Sequence, residues 1–317
     1  MKKATLVFLA FALCVSGILF FRTGRTEAVA PRIQVRDLPE HGVRLIGPGD
    51  PMQPSVAGSF RTPSSNAVVE RMKPFSVFLR NTGSRNIIAY WLTWELTKPD
   101  GTVITREEGG VNSGALTGDV APGFEHLVMN SGYAVGRNAN RFINPLTSFG
   151  ESEVSGALFA YATSTEDPSE IGRLQQAARS ISSFLDDVVV PELRGYAEMR
   201  VSVDGVFFDD GTFVGPDTTQ FFNKVQANID AKRDLLEEIS FAVEHGLRMS
   251  KIFKNVQEVA SSPDVISFTT QADYYNLHKK RYAEEVLRMR SVLGDNRAIA
   301  QALRSLTRPW PRLRKLT

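Results

Sequence analysis

Cysteine is almost missing from this chain. Its one cysteine among 317 residues, Cys14, sits in an apolar run at the N-terminus. The rest can form no disulfide, no cysteine metal site and no cysteine nucleophile, so its fold rests on an apolar core. Histidine is scarce too. His41, His126, His245 and His278 show no H-x-x-x-H or H-E-x-x-H spacing, so a zinc site would need distant residues to converge. The chain also lacks G-x-S-x-G, a P-loop, G-x-G-x-x-G, and S-x-x-K with its companion motifs. Serine-nucleophile, nucleotide and dinucleotide chemistry therefore have no support, and no catalytic residue or cofactor is expected.

A uniform charge is missing as well. The net charge of +2 comes from the two ends. Lys2, Lys3, Arg22 and Arg25 outweigh Glu27 at the start. Arg297, Arg304, Arg308, Arg312, Arg314 and Lys315 close the chain with no acid among them. The body between is acidic, which argues against a nucleic-acid partner.

Lys2 and Lys3 precede an uncharged, mostly apolar run of 18 residues, Ala4–Phe21. A positive flank followed by an apolar stretch is an export signal. The run is longer than the usual ~7–15 residues of a cleaved signal and short for a spanning helix. Ala28-Val29-Ala30 and Thr26-Glu27-Ala28 offer cleavage sites, although Pro31 hinders the first. Residues 1–30 thus read as a cleaved signal or as an N-terminal anchor. Leu13 is too large for the residue before a lipidated cysteine. Either reading puts the body across the membrane, periplasmic or extracellular, or tethered to the inner membrane through residues 4–21.

Residues 31–215 read as mainly β. Phe75, Val77 and Leu79 alternate with Ser76, Phe78 and Arg80. Ile88, Tyr90, Leu92, Trp94 and Leu96 define one face of a long strand, with Trp91 on the other. Pro99-Asp100-Gly101 turns the chain. Ala121-Pro122-Gly123 leads into a strand at 124–129, and further strands are expected at 155–162 and 199–208. Asp209-Asp210-Gly211 between apolar runs is a hairpin turn. Asp167-Pro168-Ser169-Glu170 starts an inserted helix at about 168–187, ending near Pro191.

The run Phe75–Gly83, the long aromatic strand, the Pro-Asp-Gly turn and Ala121-Pro122-Gly123 resemble bacterial Ig-like or fibronectin-III-like β-sandwich modules. The whole chain resembles a family of exported bacterial proteins without an assigned activity. The resemblance implies a fold and a compartment, not a chemistry. The expected class is therefore α+β: an antiparallel Ig-like sandwich with one inserted helix, then a helical region.

That helical region is residues 216–307. Asp217 is its expected first cap, with Gln220 at N3. Phe222, Val225, Ile229, Leu236, Ile239 and Val243 form an apolar stripe. A further helix is expected from Thr270 to Leu293, with Glu284 and Arg288 spaced to pair. Residues 308–317 form a basic tail.

Asp204, Asp209, Asp210 and Asp217 cluster in sequence. They suit a Ca²⁺ site or a catalytic carboxylate pair, or else turn and cap duties. Trp91 suits either burial or a platform for a sugar ring. Trp310 with Arg308, Arg312, Arg314 and Lys315 suits an anionic membrane surface or a frayed terminus. The leading expectation is a non-catalytic envelope protein that binds another protein or a cell-surface component. The alternatives are a hydrolase of envelope polymers and membrane docking through the tail.

Overall fold

The computed structural model describes residues 30–53, 71–111, 116, 134–145, 183–264, 270–307, 310 and 312–316. The N-terminal segment, the expected strands at 124–129 and 155–162, most of the inserted helix and Arg308 lie outside the described residues.

The protein is α+β, with two sheets and a helical region. The large sheet is built on two long strands, β4 (Ile87–Thr97) and β7 (Glu198–Phe208), which pair antiparallel along their length. β5 (Val103–Val111) pairs with the outer side of β4. The far side of β7 is shared. Its first half takes β1 (Arg32–Arg36) in parallel, and its second half takes β8 (Thr212–Val214). The small sheet consists of β2 (Val43–Ile46), β3 (Val77–Asn81) and β6 (Asn140–Ile143), all antiparallel.

Both sheets contribute to one core. Val43, Leu45, Val77 and Leu79 from the small sheet join Tyr90, Leu92, Trp94, Leu96, Met199, Val201 and Val203 from the large one. The pattern along β4 and β7 shows how this core is bounded. From Trp91 to Thr97, and from Glu198 to Val203, buried residues alternate with half-buried ones, as expected where one face is open. From Ile87 to Tyr90, and from Val203 to Phe208, every residue is buried. That end of the sheet is covered on both faces.

The second cover is α2 (Phe221–Glu244). Its first turns lay Phe221, Val225 and Ile229 over Ile88, Phe207 and Phe213. Its later turns supply Leu235, Leu236 and Ile239 to a separate core with α3 (Met249–Ala260), α4 (Gln271–Leu293) and α5 (Asp295–Leu303). Gly246 at φ +65° ends α2 in the left-handed region. A capping box of Thr270 and Asp273 starts α4.

Several features depart from the sequence reading. Ile88 is an extra residue on β4, opposed by no residue of β7. It therefore turns outward with Ala89, and Ile87 points into the sandwich-side core instead. Asp204 is the corresponding extra residue on β7. The helix at 183–194 does not stop at Pro191. A π turn at Leu185–Val189 widens the helix just ahead of Pro191, which lies in the following stretch α1 (Val190–Arg194). Gln220, not Asp217, is the residue flanking α2, although the Asp217 carboxylate still accepts the Phe222 amide at 2.9 Å. Glu284 and Arg288 form no ion pair among the described residues. The tail does not stand apart: Arg314–Lys315 form β9, which runs parallel to β8 and closes the large sheet. With β1 against β7, that makes two parallel pairings in a sheet expected to be antiparallel throughout.

The loop before α2 lies hard against the β7 bulge. At Gly215, φ is +132° and a Cβ would fall 2.5 Å from the Asp204 carbonyl oxygen. Gly215→Ala is expected to cost about 2–4 kcal/mol, by backbone strain and overpacking together. Urea denaturation would measure it, and a loss below about 0.5 kcal/mol would show that the loop relaxes freely.

Candidate functional site

The acidic cluster is dispersed into structural duties. Asp204 is 2% exposed. Its two oxygens accept from the amides and hydroxyls of Thr218 and Thr219. Asp209 accepts from Asn86 Nδ2 at 2.7 Å. Asp210 caps the hairpin turn by accepting the Thr212 amide at 2.9 Å, and it pairs with Arg85 at 3.1 Å. Burial pushes the Asp210 carboxyl upward, but the Thr212 hydrogen bonds and Arg85 outweigh that and leave it below the ordinary carboxylate value. Asp217 bonds Lys315 at 2.7 Å. No group of three potential metal ligands occurs among the described residues.

The tail residues are also engaged. The Trp310 ring packs beside both α2 clusters, with the Arg233 guanidinium 5.4 Å from its centre. Arg314 reaches Thr212 Oγ1 at 3.2 Å and Asp210 at 3.5 Å. Arg312 is exposed. Trp310, Arg314 and Lys315 are thus held by contacts within the fold. No helix among the described residues is long and apolar enough to cross a membrane.

A groove of about 730 Å³ lies where the β5 end of the large sheet meets α2 and α4. Its size is that of small-molecule and peptide side-chain sites. Its floor follows from Gly109-Gly110 at the end of β5. A Cβ on Gly109 would lie 2.3 Å from the Tyr90 carbonyl oxygen and 2.5 Å from the Trp91 ring. Only glycine lets the indole lie over this strand, and Gly110 beside it leaves the groove unfilled.

Trp91 forms the end wall. Its ring stacks on Phe221 of α2 at 5.1 Å, and its Nε1 donates to Glu107 at 3.0 Å. The cover over Trp91 is thus α2, not the helix at 183–194. The Lys224 ammonium lies 5.1 Å from the Trp91 ring and 5.4 Å from the Tyr274 ring, and it pairs with Glu107 at 3.4 Å. With its faces and its N–H occupied in this way, Trp91 is a wall and not an open sugar platform.

The other wall is α4. Tyr274, His278, Arg281, Glu285 and Arg288 recur at steps of four and three residues, one helical face. This stripe was readable in the sequence, but it looked like a solvated helix surface. Only the opposing sheet and α2 turn it into a wall. Arg281, Glu284, Glu285 and Arg288 are exposed and make no ion pair among the described residues. His278 is held neutral: burial lowers its pKa to about 4, and Arg281 adds to the effect. The arrangement offers an aromatic floor and a rim of both charges. It offers no nucleophile with a neighbouring base.

No protein-family model, curated protein or solved structure matches this chain.

His278 gives the groove a pH signature. In the unfolded chain it protonates near pH 6.5; in the folded chain it stays neutral down to about 4. The unfolded state therefore binds more protons in this window, and stability falls as pH drops from 6.5 to 4. His278→Gln is expected to flatten that slope in denaturation midpoints. By proton NMR the His278 ring should titrate near pH 4, and a midpoint at 6 or above would show the ring to be solvated.

Proposed function

We propose that this is an exported or membrane-anchored, non-catalytic envelope protein that holds a protein or cell-surface component in the groove between β5, α2 and α4. The observation that carries this reading is the contrast between two sets of side chains. Asp204, Asp209, Asp210 and Asp217, the residues a hydrolase would need, are committed to bonds within the fold. Arg281, Glu284, Glu285 and Arg288 on the groove rim make no ion pair among the described residues, and apolar side chains line the groove beside them. Binding sites favour such an apolar base with a few convergent polar groups. The Lys2-Lys3 flank and the Ala4–Phe21 run supply the export and tether part of the reading. The two sheets on one core support a variant Ig-like sandwich as the scaffold. The tail-docking alternative is weakened, because Trp310, Arg314 and Lys315 are engaged within the fold.

The test is made in cells. A photoreactive residue placed at Arg281 is expected to cross-link an envelope component, and the same residue at Lys254, on the exposed side of α3, is not. Fractionation should recover the chain with the membrane or outside it. Recovery as a soluble cytosolic protein with its first 29 residues intact would overturn the compartment. Equal cross-linking at both positions would overturn the groove as the binding place.

A further inference from the structure

We propose that the open edge of β8 is a strand-acceptor site for an extended basic segment of a partner protein, and that the protein's own C-terminus occupies it in the free chain. The argument begins with the sheet. β8 has three residues and pairs with β7 at Val206↔Val214 and Phe207↔Phe213. Its other edge would present unpaired backbone groups, which invite another strand. The last residues of the chain fill that position in parallel. The Arg314 amide donates to the Gly211 carbonyl at 3.0 Å, and the Leu316 amide donates to the Phe213 carbonyl at 3.0 Å.

The side chains state what chemistry the edge selects. An acid stands beyond each end of β8. Asp210 faces Arg314 at 3.5 Å, and Asp217 faces Lys315 at 2.7 Å. The Asp217 side chain is 6% exposed; one of its oxygens accepts the Phe222 amide at 2.9 Å and the other accepts from the Lys315 ammonium. The Lys315 ammonium also lies 5.7 Å from the Phe213 ring. Two adjacent bases on an extended backbone satisfy all of these contacts together. An acidic or neutral strand would leave that second oxygen without its cation.

The occupant, by contrast, is lightly held. Arg314, Lys315 and Leu316 are all exposed, and Leu316 keeps 49% of its surface. Little apolar area opposes lifting residues 314–316, while Trp310 and Leu313 pack against the α2 clusters just before them. Residues 314–316 are therefore the detachable part and Leu313 their pivot. Strand addition of this kind draws affinity from the main chain and specificity from the flanking side chains.

The test uses the full chain in mild detergent, carrying Arg314→Glu and Lys315→Glu to repel the tail. The probe is a fluorescent peptide of residues 310–317. The double variant is expected to bind it with a dissociation constant on the order of 100 µM. Wild type should bind at least tenfold more weakly, because its own tail competes at an effective concentration in the millimolar range. A peptide with both central bases changed to Glu should not bind, and raising salt to 0.5 M should weaken the complex severalfold. A folded double variant that ignores the peptide overturns the proposal. Should the variant not fold, hydrogen exchange on wild type decides. The Arg314 and Leu316 amides are expected to exchange at least 100-fold faster than those of Val201 and Val203. Exchange of all four at one common rate would mean the tail leaves only on global unfolding, and would also overturn it.

Discussion

Much of this architecture depends on one buried carboxylate. Asp204 is the extra residue in β7, at the point where the sheet passes from one covered face to two. A charge at 2% exposure is costly unless its lone pairs are filled. Here two backbone amides and two hydroxyls fill them, all from Thr218 and Thr219. Hydrogen bonds to a charged group are worth roughly 1.5–3 kcal/mol each, enough for several together to offset the desolvation. The bonds tie the loop before α2 to the middle of the sheet and so fix where α2 begins. Gly215 lets the two backbones come that close, and Gly205 leaves room for the Phe213 ring.

From that anchor, α2 serves two cores. Its first turns cover the sheet around Phe207 and Phe213, and its later turns organise α3, α4 and α5. The groove lies in the angle this creates. Its walls stand where they do because Phe221 is stacked on Trp91, and because Tyr282 of α4 bonds Asn228 of α2. The groove is thus set by helices and strands, with both walls referred to one helix.

What could be read beforehand was local. The alternation in β4 and β7, the Asp-Asp-Gly hairpin and the helix from Thr270 to Leu293 all rest on neighbours within a few residues, and the structure has each. The bulge at Ile88 left no trace, because an apolar residue facing either covered side looks the same in a pattern. The parallel seat of β1 against β7 joins segments far apart in the chain. Pro191 misled because a π turn supplies what an ordinary helix cannot. The tail misled because proline and arginine resemble a solvated end, and the acids that hold it are about a hundred residues earlier. The groove was invisible for the same reason. Trp91, Gly109, Lys224 and His278 come from four different elements.

The seating of the first strand has a consequence for how the chain reaches its native state. β1 pairs with a segment that emerges roughly 165 residues later, and β9 comes from the very end of the chain. Closing a loop of that length costs entropy before any contact repays it. Non-local sheets of this kind assemble slowly. Until β9 arrives, far downstream of its partner, the outer edge of β8 stands bare, and the polypeptide depends on whatever shields such an edge during that interval.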